Sequence, residues 1–154
     1  MNSFLKRLIV NSLRTGAVAS VTTPAAVATF GRLEDGAAVA PINAVSHIAW
    51  GDQAARQERA SLTYTATGLA LNTAAVTSWA ALQELTFGRR FRRPECAAAL
   101  LEGVAISALA YVVDYHVVPA RLTPGFEKRL SNRSLLGVYA VLALSLAAGA
   151  RMRA

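Results

Sequence analysis

Long apolar runs alternate along this chain with short, arginine-bearing polar connections. The runs fall at about 8–30, 64–87, 96–118 and 135–150, and all are rich in alanine. A helix needs about 20 predominantly apolar residues to cross roughly 30 Å of hydrocarbon, so the first three have the length of a span and the fourth is short. Signals at their ends support the division. Lys6 and Arg7 precede the first run, Gly31 and Arg32 follow it, four arginines and Pro94 separate the second from the third, and Pro119 closes the third. The pattern predicts an all-α fold: a polytopic membrane four-helix bundle, one domain over residues 1–154.

The connection from Gly31 to Thr63 is too long to be structureless in a compact protein. Pro41 suits the first turn of a helix. Beyond it Ile42, Val45 and Ala49 share a stripe, Asn43, Asp52 and Arg56 lie off it, and Trp50 suits a membrane interface. A short interfacial helix on the outer face is therefore expected. In the connection after the third run, Thr123-Pro124-Gly125 reads as a tight turn. Residues 126–130 read as an interfacial return that points Lys128, Arg129 and Arg133 at lipid headgroups.

Composition strengthens the membrane reading. Apolar residues make up 54% of the chain, charged residues 16%, and the mean hydropathy is +0.36, which excludes disorder and is too apolar for an ordinary soluble domain. The net charge of +7 would suit a nucleic-acid partner, but aromatic residues are few and are not interleaved with the basic cluster, so bases have nothing to stack on. No nucleic acid is expected, because positively charged cytoplasmic flanks account for the arginines. With both termini cytoplasmic, nine basic residues lie inside (Lys6, Arg7, Arg14, Arg89, Arg90, Arg92, Arg93, Arg151, Arg153) and seven outside. The four arginines of the short 88–94 connection carry most weight in that comparison. A cleaved signal peptide is the alternative for the amino terminus, but Arg14 interrupts its apolar region and the run continues to Phe30.

Ionisable side chains inside the runs are the main chemical signal, because each costs roughly 2.5–3.5 kcal/mol at mid-membrane unless it is paired or faces a cavity. Arg14, Glu84 and Glu102 fall at similar depth on the cytoplasmic side, which predicts an intramembrane ion pair that clamps neighbouring helices. A proton or ion relay through the same three is the alternative. A second group lies outside: Asn43, His47 and Asp52 in the first loop, with Asp114 and His116 at the end of the third run. On a 100° wheel His116 faces the direction of Glu102 and Asp114 does not, so an interfacial girdle is the plainer reading. Haem or a metal held by His47 and His116, with Asp114 or Asp52 as a carboxylate ligand, is the alternative, although no helical metal-binding spacing is present and no cofactor is required.

Two stretches resemble a group of small multi-pass inner-membrane proteins of proteobacteria: Pro41-Ile-Asn-Ala-Val-Ser-His-Ile-Ala-Trp-Gly-Asp52, and the segment from Val113 through Asp114, Tyr115, His116 and Pro119 to Glu127. The resemblance runs from about Gly36 to Tyr139. It implies a bacterial inner membrane and brings no activity or catalytic residue with it.

The lone Cys96 excludes an intramolecular disulfide and reads as a small filler. No nucleotide-binding or serine-hydrolase motif and no nucleophile–base pair is present, so enzyme activity is not expected. Pairs of small residues four apart, Gly16 with Ser20, Gly68 with Asn72 and Gly103 with Ser107, permit close helix approach in lipid or contact with a partner. The sequence thus reads as a structural or accessory membrane component whose partners are the lipid bilayer and either a second copy or a larger complex. A small transporter and a haem or metal carrier are the alternatives.

Overall fold

In the computed structural model, residues 2–88 and 94–153 are described, and no strand occurs among them. Six α-helices follow in order: α1 (Ser3–Asp35), α2 (Ala40–Val45), α3 (His47–Trp50), α4 (Thr67–Phe87), α5 (Cys96–Val112) and α6 (Asn132–Arg151). The four long ones coincide with the four apolar runs. α1 overshoots its run at both ends: Asn2 caps its start by accepting from the Phe4 amide, and Gly36, at φ 68°, ends it in the left-handed conformation. α4 and α5 each carry one π-helical turn at the outer end, Leu62–Ala66 and Val113–Val117.

α6 lies between α1 and α5, and α4 packs on the other side of α1, touching α5 little. The small residues set these approaches. A Cβ on Gly103 would stand 2.2 Å from the Ala143 carbonyl oxygen, so α5 and α6 meet backbone to backbone there. One turn on, the Ser107 hydroxyl donates to the Tyr139 carbonyl at 2.6 Å. Gly16 abuts Thr77 on α4, and Gly68 abuts Ile42. Small-residue faces are therefore used inside the bundle. Hydrogen bonds between helices add to them: Thr22 with Ser145 at 2.6 Å, and Gln83 donating to the Leu146 carbonyl at 3.2 Å.

Two of the long helices bury polar groups and expose large apolar ones, whereas α6 buries Leu135, Val138, Leu142 and Leu146 in an apolar core. α5 buries Glu102, Gly103 and Ser107 and exposes Leu100, Leu101, Val104, Leu109 and Val112. α1 buries Asn11, Ser12, Thr15 and Thr23 and exposes Ile9, Leu13 and Val21. In water such an arrangement gives up the burial of large side chains that drives folding. Two segments, Cys96–Val117 and Asn132–Arg151, are long and apolar enough to cross a membrane, while α1 and α4 carry too many Ser, Thr, Asn and Gln to reach the same hydropathy.

The first outer loop differs from the expected surface helix. α2 and α3 are separate short helices joined at Ser46, and α2 is buried along Ala40, Pro41, Asn43, Ala44 and Val45. It plugs the outer end of the bundle, because Asn43 is wholly buried and serves as a hub. Its Nδ2 donates to the carbonyls of Gln57 (2.9 Å) and Arg59 (3.0 Å), and its Oδ1 accepts from Thr65 Oγ1 at 2.6 Å. A wheel of apolar residues cannot reveal this, since an asparagine that holds three loop groups looks in sequence like a solvent-facing one. The second loop is likewise folded in: Phe126 and Leu130 are buried, and Lys128 and Arg129 meet acidic partners rather than pointing only outward.

Candidate functional site

Two polar centres occupy opposite ends of the bundle. At the end where α1 begins and α6 ends, Arg153 inserts between α4 and α5. Its Nε stands 2.8 Å from Glu84 Oε2 and its Nη2 stands 2.8 Å from Glu102 Oε2. The Asn11 amide donates to the second oxygen of Glu84 at 2.9 Å, so α1, α4, α5 and the segment after α6 meet at one point. Arg153 is 3% exposed and Glu102 4%, which leaves both charges dependent on each other for compensation. Of the expected trio the two carboxylates belong here, but Arg14 does not. It lies exposed on α1, off the stripe that buries Asn11, Thr15 and Ala19. The cation comes instead from beyond the end of α6, where the chain turns at Met152 and the Arg153 amide approaches the Ala150 carbonyl. Helical periodicity does not extend to a residue past a helix end, so no wheel pointed to it. Nearby, Arg151 donates to the Pro94 carbonyl at 3.2 Å. The arginines at 89, 90, 92 and 93 lie outside the described residues.

At the other end the five expected outer residues separate. His47 is buried; its Nδ1 lies 2.9 Å from the Ala44 carbonyl, which can only accept, so that nitrogen carries the proton. The other ring nitrogen faces the Ala120 carbonyl at 3.5 Å. Gly125, at φ 85°, passes directly beneath: a Cβ there would stand 2.6 Å from the Ala44 carbonyl oxygen and 2.8 Å from His47 Nδ1. Asp52 is exposed and accepts from Lys128, which lowers its pKa through that hydrogen bond and the lysine charge. Arg129 pairs with Asp35 at 2.8 Å and Glu58 at 3.6 Å. Asp114 turns inward and accepts from the Tyr139 hydroxyl at 2.6 Å, while His116 is exposed, its ring 5.9 Å from that of Tyr111. Asp114 lies seven residues beyond Ser107 and so on the same α6-facing side of a regular helix, while the π turn from Val113 to Val117 breaks the wheel that would align His116 with the buried Glu102. Among the described residues no three His, Cys, Asp or Glu side chains stand together as metal ligands.

Glu34 is a feature that the apolar pattern passed over. From the end of α1 it accepts from the Ser131 amide at 2.8 Å, from the Ser131 hydroxyl and from Ser134 Oγ at 2.7 Å, which places a carboxylate at the α6 N-terminus. The serine hydroxyl, then the serine amide, lower its pKa. A Ser-x-x-Ser start before an apolar run marks the helix end, but nothing in sequence says that a carboxylate 97 residues earlier completes it.

Beneath the plug lies a cavity of about 250 Å³, bounded by α1, α4, α6 and Asp114. Tyr111, Tyr115 and Tyr139 form a cluster at its edge, with ring centroids 5.2–5.9 Å apart. Comparison with known protein families, with curated proteins and with solved structures finds no match for this chain. The class defined by fold and site is an all-helical protein with two helices long and apolar enough to cross a membrane.

Proposed function

We propose that the chain is a small integral membrane protein of the bacterial inner membrane, threaded four times through the bilayer with both termini cytoplasmic, and that it acts as a structural or accessory component there. The observation that carries this reading is the inverted polarity of α1 and α5, which bury carboxylate, amide and hydroxyl groups and present leucine and valine outward. Only a hydrocarbon surround makes that arrangement favourable. Meeting of Asn11, Glu84, Glu102 and Arg153 at one end supports an even number of spans. Arg14, next to the exposed Leu13, then reaches the cytoplasmic interface along its aliphatic stem. Of the seven basic residues assigned to the outer side Lys128 and Arg129 are paired with Asp52, Asp35 and Glu58, and six acidic residues lie on that side against three on the other, which puts the excess positive charge at the cytoplasmic end.

Arg153 holding both carboxylates makes a strut between helices, which favours the accessory role over a relay. The surface left for a partner is the outward face of α5, since the small-residue faces are spent inside the bundle. Extraction into native nanodiscs at natural abundance tests the role: a discrete particle larger than one chain is expected. A strictly monomeric particle with nothing copurifying contradicts it.

A further inference from the structure

The cavity beneath the outer plug combines features that a merely imperfect core does not. Its walls are largely apolar and aromatic, with Trp79 from α4, Phe126 from the second loop and Tyr139 from α6. Against them stand three polar side chains, two of them short of partners. Asn72 is 7% exposed and its Nδ2 has no acceptor; Thr23 is 3% exposed and its Oγ1 has no partner at all. A buried amide or hydroxyl left unsatisfied is costly, so two in one cavity indicate a space that something else completes. At about 30 Å³ per water the volume equals roughly eight waters, which suits a compact organic molecule with an apolar body.

The third polar group fixes the charge of that molecule. Asp114 spends one oxygen on the Tyr139 hydroxyl, and no basic side chain among the described residues reaches it. In the neighbouring loop Lys128 is taken by Asp52, and Arg129 by Asp35 and Glu58. Glu127 stands close enough for its charge to act on Asp114, and its own Oε2 is buried without a partner. Of these two carboxylates only Asp114 lines the cavity, and beside its aromatic faces it makes a negative, ring-lined space to which a desolvated organic cation is attracted.

We propose that this cavity is a binding site for a small lipophilic organic cation, a substituted ammonium whose charge faces Asp114 and whose apolar body lies against Trp79, Phe126 and Tyr139. An oxygen on that body accepts from Asn72. A void filled by lipid tails, or one in which Asp114 simply takes up a proton, has no reason to prefer a positive charge.

Calorimetric titration of the full chain in nanodiscs, against empty nanodiscs, tests this with choline phenyl ether and its uncharged isostere 3,3-dimethylbutyl phenyl ether, both of which carry an ether oxygen. The expected result is saturable one-to-one binding, with the cation favoured at least tenfold. Asp114→Asn, which keeps an acceptor for Tyr139, should abolish that preference. Ala75→Leu, which fills the cavity from α4 without changing charge, should weaken the cation at least tenfold while the helical circular dichroism stays unchanged. Absence of saturable binding to the unaltered protein, equal binding of the isostere, or a preference that survives in Asp114→Asn overturns the proposal. The comparison of the two probes on the unaltered chain stands even where a variant folds poorly.

Discussion

Arg153 is the described side chain whose removal should be felt most, because it stands between Glu84 and Glu102 in a region from which solvent is excluded. Truncating one member of a buried charge group leaves the others uncompensated, at about 3–5 kcal/mol. Arg153→Met should therefore lower resistance to chemical unfolding in detergent by that amount, while Arg14→Ala, at an exposed position, should change it by less than about 0.5 kcal/mol. A larger effect at Arg14 would return the clamp to α1. Which carboxylates would be buried was legible in sequence, since Glu84 and Glu102 are charges within apolar runs. Their partner was not, because it lies past a helix end, where no period applies. Asn43 and His47 were singled out as polar residues of the outer loop, but their burial follows from contacts with residues 57–65 and Ala120, which local pattern does not contain.

At the scale of elements, the α5–α6 pair depends on Gly103. Even a methyl group there meets the Ala143 carbonyl, so Gly103→Ala should force the helices apart and Gly103→Leu should do so further. The expected reading is a loss of at least 1 kcal/mol for the alanine variant in unfolding titrations; an unchanged midpoint would show that the pair packs elsewhere. The outer plug is held differently, by charge and caps. Glu34 and Asp52 both have lowered pKa values in the folded chain. Their contribution is therefore complete above the ordinary carboxylate range and is lost as pH falls through the depressed folded values. Amides of residues 40–56 and of the first turn of α6 should lose hydrogen-exchange protection on acidification to pH 3 before those of the α5–α6 interface do. Simultaneous loss would show that these carboxylates are not what anchors the plug. The existence of the four long helices followed from apolar run length alone, but the burial of α2 did not: Pro41 marked its start, whereas its wedging under Gly31 and Gly68 is a tertiary event.

Across the whole molecule, one end is a plug laced by ion pairs and the other a buried charge clamp, with an apolar core between them, polar groups of α1 and α5 turned inward and several of their leucines and valines turned outward. On the proposed membrane reading α1 and α4 cross with α5 and α6, although their own hydropathy is lower. Partnering explains how they can do so, since their polar residues face other helices. The most direct test is the sidedness of both chain ends and of the loop after Gly36, read with reporters fused to each end and inserted at that loop in living cells. The account predicts both ends in the cytoplasm and the loop outside. Ends on opposite sides, a cytoplasmic loop, or a chain recovered in the aqueous fraction without detergent would contradict it.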